Sequence, residues 1–201
     1  MRKITILDRI LFLITAHVAG IKIVSGMEQH SVLSTGLYTI AFGVLVLASI
    51  MLLLFGFELL TNRFVPVVTT LIPATLSIGL VQDHLPQMTL SYSILIGIIY
   101  FISVWVRFTA PEKTASLVLA LVHGISGLLV VVLPVVLFLH YGVPAKVLFV
   151  SIGGIIISIE GIFLLLQKLG YLRVELKTIF AWFPVMLLAA TSAFVLGLDI
   201  Y

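Results

Sequence analysis

Three ionisable side chains, His17, His123 and Glu160, lie well inside long apolar stretches of this 201-residue chain. Such groups are costly in a hydrocarbon region, so each one is by default a functional candidate. Each lies about eight residues from the same end of its stretch, or roughly 12 Å at the rise of an α-helix. The three residues are therefore predicted to form one polar layer that binds a substrate or a proton.

Three interpretations of this layer are open. A carboxyl group and an imidazole can exchange protons near neutral pH, which fits the proton-coupled movement of a small solute or ion. Alternatively, His17 and His123 could be the axial ligands of a b-type haem, with Gly20 and Gly124 leaving room for the macrocycle. In the third interpretation the side chains only form hydrogen bonds between helices.

Further polar residues follow the apolar stretches at the opposite end. Imidazoles and carboxylates are ligands of divalent metals, so the histidines among them, His30, His84 and His140, are candidates for a metal site. No two of these histidines have the i, i+4 spacing of a preformed helical pair. We therefore expect this group to consist of solvated loop residues: Glu28, His30, Asp83, His84, His140 and Asp199.

Seven apolar stretches must position these residues. Most are long enough to cross a hydrocarbon core of about 30 Å as helices. Only 9% of the residues are charged and the mean hydropathy is +1.32, which excludes a water-soluble domain. The prediction is an all-α polytopic membrane protein with seven transmembrane helices: Ile10–Val24, Leu37–Gly56, Phe64–Val81, Leu90–Trp105, Ala115–Leu139, Val147–Leu166 and Ile179–Leu198.

The basic residues between the stretches predict the orientation. With the N-terminus inside, only Lys22 and Lys146 lie outside, as the positive-inside rule requires. We therefore expect a plasma-membrane protein with a cytoplasmic N-terminus and an external C-terminus. The predicted cytoplasmic cations are Arg2, Lys3, Arg9, Arg63, Arg107, Lys113, Lys168, Arg173 and Lys177.

The chain also shows signs of an internal repeat. Pro66 and Gly79 of the third stretch align without a gap with Pro184 and Gly197 of the seventh, and Ala16-His17 aligns with Val122-His123. A three-plus-one-plus-three plan follows, with residues 1–87 and 111–201 as the two three-helix repeats and residues 88–110 as a linker helix. A shift of four helices makes the repeats parallel.

In plan, the chain resembles the SWEET type of sugar transporter and the related nicotinamide-riboside carriers, which also run three-one-three. The resemblance is architectural and covers the whole chain. No motif diagnostic of either family occurs here, so it implies no functional residues. Microbial rhodopsins also have seven spans, but the seventh stretch here has no lysine to hold retinal.

Enzyme motifs are missing from the sequence: no H-x-x-x-H, H-E-x-x-H or G-x-S-x-G pattern occurs, and there is no cysteine. The preferred function is transport of a small solute or ion, coupled to protons through His17, His123 and Glu160. The alternative is an accessory or anchoring subunit of a larger membrane complex, with b-type haem on His17 and His123. The expected partners are the lipid bilayer and other membrane subunits or a second copy, not nucleic acid.

Overall fold

A computed structural model describes residues 2–27 and 29–199, except for the side chain of Lys168. This part of the chain is 86% helical and contains no strand. Short 3-10 turns join some of the helices at Gly56–Thr61, Pro86–Met88 and Ala145–Val147. The α-helices are α1 Ile6–Val24, α2 Val32–Phe55, α3 Phe64–Thr69, α4 Leu71–His84, α5 Thr89–Thr109, α6 Glu112–Tyr141, α7 Leu148–Lys168 and α8 Leu176–Gly197.

Six segments of the described chain are long and apolar enough to cross a membrane. They are Val32–Thr61, Phe64–His84, Pro86–Thr109, Glu112–Tyr141, Ala145–Gln167 and Leu176–Gly197. The helix α1 is not among them, because Asp8, Arg9 and Lys22 all lie within its 19 residues. Six of the seven predicted spans thus have the required length and composition. The remaining one, the first span in α1, stays a prediction.

The third span is interrupted. Helix α3 ends at Thr69, three residues after Pro66. Helix α4 begins at Leu71, two residues before Pro73. Proline has no N–H to give to the preceding turn, so the regular ladder is broken there. Helix α6, by contrast, continues without interruption through Pro134.

Six of these elements pack as a closed ring. Helix α1 packs against α2 and α8, α2 against α4, α4 against α6, α6 against α7, and α7 against α8. Helix α5 lies outside the ring, against α6 and α4. Only 17% of the most apolar 18 residues of its span, Pro86–Thr109, are buried. The interior of the ring is filled by apolar side chains, including Phe12, Tyr38, Phe42, Leu76 and Phe194.

Two glycines allow the closest helix contacts in the ring. A Cβ on Gly79 of α4 would lie 2.4 Å from the ring of Tyr38 on α2, and a Cβ on Gly197 of α8 would lie 2.5 Å from the backbone nitrogen of Val150 on α7. Real Cβ atoms do not approach so closely, so both positions need glycine. The Gly197 contact brings α8 close to the backbone of α7, and the Gly79 contact seats the Tyr38 ring of α2 directly on the backbone of α4.

Candidate functional site

The side chain of Glu160 is a buried ionisable group with an unpartnered oxygen among the described residues. Glu160 lies on α7, is 6% exposed, and its Oε1 has no hydrogen-bond partner among the described residues. It follows Gly153 by seven residues, or two helical turns, so the two share a face of α7. A Cβ on Gly153 would meet the Phe194 ring of α8 at 2.8 Å. Glu160 is therefore on the face of α7 that packs into the bundle.

His123 joins α6 to the interruption in the third span. Its Nδ1 is 3.2 Å from the Leu119 carbonyl oxygen and 3.4 Å from the Thr70 hydroxyl oxygen. The Thr70 hydroxyl donates its own proton to the Pro66 carbonyl at 2.6 Å. Both neighbours of Nδ1 are therefore acceptors, and Nδ1 carries the proton and donates to them. The half-buried imidazole thus holds α6 to the point between α3 and α4.

His17 lies on the opposite side of the ring and faces outward. It is exposed, and it lines a shallow groove of about 480 Å³ formed by residues of α1 and by Ser25, which follows the helix. No hydrogen bond or ion pair joins any two of His17, His123 and Glu160 in the part of the chain that the structure describes. The structure therefore does not connect the three residues into one cluster.

A b-type haem held by His17 and His123 of one chain does not fit this arrangement. Helices α1 and α6 are three places apart in the ring, with the packed apolar core between them. His17 is exposed and faces away from that core, while His123 lies on α6 at its other side. Two axial imidazoles would have to face each other across the macrocycle.

The expectation that the residues at the other end are solvated is wrong for His30 and Asp83. The His30 side chain is 2% exposed, and its Nδ1 is 2.7 Å from Asp83 Oδ2 at the end of α4. The other ring nitrogen, Nε2, is 3.1 Å from the Leu198 carbonyl oxygen after α8. The Tyr38 hydroxyl donates to Asp83 Oδ2 at 2.8 Å. A buried imidazole thus joins the α1–α2 loop, α4 and α8.

The charge of Asp83 controls the protonation of His30. Burial by itself would lower the pKa of His30, but the hydrogen bond and the negative charge of Asp83, aided by the Leu198 carbonyl, outweigh burial and the opposing charge of Lys22. The pKa of His30 is therefore raised above its ordinary value of 6.5.

A second ion pair closes the same end. Lys22, near the end of α1, is 2% exposed and pairs with Asp199, which follows α8. We call His30, Asp83, Tyr38, Lys22 and Asp199 together the outer-end cluster, after the side of the membrane on which the sequence predicts it to lie. Among the described residues no group of three potential ligands could hold a metal ion, and His140 is exposed on α6. Glu28, the remaining predicted member of this end, lies outside the described residues.

Aromatic rings and a salt bridge close the opposite end. Arg2 donates from Nη1 to the Phe180 carbonyl of α8 at 2.7 Å, and it pairs with buried Asp8 of α1 at 3.1 Å. Its guanidinium lies 5.5 Å from the centre of the Phe57 ring, which stacks on Phe180 at 5.2 Å. Asp8 also caps α1 with Thr5. We call Arg2, Asp8, Phe57 and Phe180 the inner-end cluster, again after the side that the sequence predicts.

The sequence contained the members of both end clusters but not their contacts. Asp83 and His30 are 53 residues apart, and Lys22 and Asp199 are 177 apart. One signal was available: the predicted topology brings the ends of the first, third and seventh stretches to one face of the membrane. It did not say that the chain would bury them there.

Comparisons with known proteins return nothing: no protein family, no curated protein and no solved structure matches this chain. The architectural resemblance to SWEET-type transporters therefore gains no support from them. The helices themselves define the class. This chain is a multi-pass α-helical membrane protein.

Proposed function

We propose that the chain transports a small solute or ion across the plasma membrane, and that Glu160 binds the coupled proton. The observation that carries the proposal is the carboxyl group of Glu160, buried on a membrane-spanning helix with an unpartnered oxygen. An ionised carboxylate without a partner costs several kcal/mol in such surroundings. A group in that position is suited to bind a proton when the site is closed and to release it when water enters.

The proposal includes α1 as a seventh span. Helix α1 is fastened to α8 at both ends, by Arg2 on Phe180 and by Lys22 on Asp199. Because α8 is long and apolar enough to span the bilayer, a helix that runs beside it from end to end crosses the same thickness. The charges of Asp8 and Lys22 then lie at the two interfaces, with a cytoplasmic N-terminus as the cation bias favours.

Two parallel halves form the proposed framework. In the ring order, α1, α2 and α4 are followed by α6, α7 and α8, so a half-turn exchanges the two sets and leaves α5 as the linker. Gly79 and Gly197 align in the two halves, and each makes a close contact with the second span of its own half, which is α2 for Gly79 and α7 for Gly197. Sites at the interface of such repeats are common in transporters, which move one half against the other.

Movement of the halves would open the two ends in turn. The outer-end cluster joins α1, α2, α4 and α8, and the inner-end cluster joins α1 to α8. Both clusters are formed in this structure, and the core between them is packed. The structure thus corresponds to a closed state in the proposed cycle. His123 is well placed to respond, because it is bonded to the interruption at Thr70.

Transport can be tested in proteoliposomes that contain a pH-sensitive dye. A panel of sugars, amino acids, nucleosides and inorganic ions is applied outside, and a solute that is carried will change the internal pH. We expect Glu160→Gln to abolish this proton movement while Glu175→Gln, which changes an exposed carboxylate, leaves it intact. Solute-driven proton movement that is unchanged in Glu160→Gln would refute the assignment of Glu160.

One observation favours a second candidate, an accessory subunit of a larger complex. The outward face of α1 presents His17 and Gly20 in an open groove that no other helix of this chain lines. A haem on His17 would need its second ligand from another chain. Purification under mild conditions tests this: a fixed partner and a Soret band that His17→Ala removes would support it, whereas a colourless, partner-free protein would reject it.

A further inference from the structure

Arg107 is a buried cation that forms no ion pair with any described residue. It lies on α5, two residues before the helix ends at Thr109, and it is 6% exposed. Its only hydrogen bond among the described residues runs from Nε to the Arg63 carbonyl oxygen, at 3.3 Å. The other buried end-charges differ in this respect, since Asp8 pairs with Arg2 and Lys22 pairs with Asp199.

A guanidinium buried in this way calls for a counterion. Removing one partner of a buried ion pair leaves an uncompensated charge that costs several kcal/mol. No carboxylate lies within ion-pair distance of Arg107 in the described chain. Its two terminal nitrogens form no hydrogen bond among the described residues, and neither is completely buried. These two nitrogens therefore keep some exposed surface, at which an anion from outside the chain is proposed to bind.

A second cation stands beside the first. Arg63 contributes the carbonyl oxygen that Arg107 contacts, and its own side chain is exposed and has no ion pair among the described residues. Two arginines at one corner, between the start of α3 and the end of α5, concentrate positive charge. The planar guanidinium group binds two phosphate oxygens at once, so arginines are well suited to hold a phosphate group.

The surroundings are those of a membrane interface. Trp105, two residues before Arg107, is 72% exposed. Phe64 packs on Phe108 with ring centres 5.0 Å apart. Aromatic side chains concentrate at the level of lipid headgroups. Toward the bilayer centre, the outward face of α5 is apolar and exposed at Ile98 and Phe101. Arg107 itself is on the buried face of α5 with Ser103, but the adjacent Phe108 is two helical turns from Phe101 on the exposed face. A phosphate at Arg107 would therefore lie at the edge of this apolar surface.

We propose that Arg107 and Arg63 bind the phosphate group of an anionic membrane phospholipid, whose acyl chains lie along the exposed face of α5. The lipid phosphate supplies the counterion that no described residue of the chain provides. Basic pockets at the ends of transmembrane helices bind anionic headgroups by the same chemistry. The site is independent of Glu160 and of transport, because it lies between the start of α3 and the end of α5 and does not include α7.

Native mass spectrometry of delipidated full-length protein tests the site. Phosphatidylglycerol, phosphatidylcholine and inorganic phosphate are titrated separately. We expect phosphatidylglycerol to bind most tightly and Arg107→Gln to weaken it about tenfold, the loss of one charged hydrogen-bonded contact. Arg107→Lys should retain part of the affinity. Arg173→Gln, which removes an exposed cation from the α7–α8 loop, should leave it unchanged.

Three results would overturn the proposal. They are equal affinity in Arg107→Gln and the unchanged protein, an equal loss in Arg173→Gln, and binding of inorganic phosphate with the same dependence on Arg107, which would assign the site to a soluble anion. If Arg107→Gln does not fold, Arg63→Gln decides the matter. Arg63 is exposed, so its replacement should not disturb the fold and should still weaken phosphatidylglycerol binding several-fold.

Discussion

Replacing Asp83 by asparagine should destabilise the protein strongly, because it leaves a buried imidazole without its anion. Asp83 Oδ2 lies 2.7 Å from His30 Nδ1 and accepts from the Tyr38 hydroxyl at 2.8 Å. Breaking a buried pair typically costs about 3–5 kcal/mol. An asparagine oxygen can still accept from Tyr38, so we expect the lower end, a loss of about 3 kcal/mol in the free energy of unfolding.

The matched control is an exposed pair. Glu175 and Lys177 are 2.6 Å apart, but their side chains are 67% and 68% exposed. Surface pairs contribute little, so Glu175→Gln should change the free energy of unfolding by less than about 1 kcal/mol. Unfolding by sodium dodecyl sulfate in mixed micelles, followed by helical circular dichroism, measures both variants. Equal small effects of the two substitutions would show that the outer-end cluster is not a stabilising contact.

The same pair predicts a dependence on pH. Because the pKa of folded His30 is raised, the folded protein binds more protons than the unfolded chain above the ordinary pKa of 6.5. The stabilisation by His30 is therefore complete below about pH 6.5 and is lost as the pH rises through the folded pKa. Asp83→Asn removes the cause of the raised pKa and should flatten this dependence. A steeper loss in the variant would contradict the mechanism.

Two further predictions concern packing. Gly197→Ala should cost about 1–3 kcal/mol in the free energy of unfolding, since its Cβ would meet Val150 backbone, whereas Gly161→Ala on α7, with open space around it, should be neutral or slightly stabilising. Phe57→Ala removes a buried ring stacked on Phe180 and should cost about 3–5 kcal/mol, against less than about 1 kcal/mol for the exposed Phe101→Ala. The same unfolding assay ranks all four variants, and the reverse order within either pair would refute the packing described.

The sequence predicts the membrane-spanning helices well because their signal is local. The stretch Ala115–Leu139 lies within α6, Glu112–Tyr141, and the apolar run predicted for the seventh span lies almost wholly within α8. Length and hydropathy alone decide such elements. The first span is the exception. Helix α1 has charged residues near both of its ends, so it is not apolar enough to be identified as a span from composition.

The candidate site could be predicted only in part. Glu160 was predicted to face the interior because an ionisable group is costly against lipid, and its side chain is indeed buried. The direction in which a side chain faces depends on which helices are neighbours, and hydropathy does not give that. Hence His17 was expected to share a layer with His123 but lies exposed on α1. The contact of His30 with Asp83 depends on the course of a loop, which has no periodic signal.

Labelling with a membrane-soluble carbodiimide, read by mass spectrometry together with proton movement in proteoliposomes, tests the central claim most directly. This reagent modifies carboxyl groups that are protonated in apolar surroundings. We expect Glu160 to be modified while exposed Glu175 is not, and proton movement to stop in proportion to the modification of Glu160. An unmodified Glu160, or full modification with proton movement unchanged, would contradict a proton-binding role for this carboxyl group.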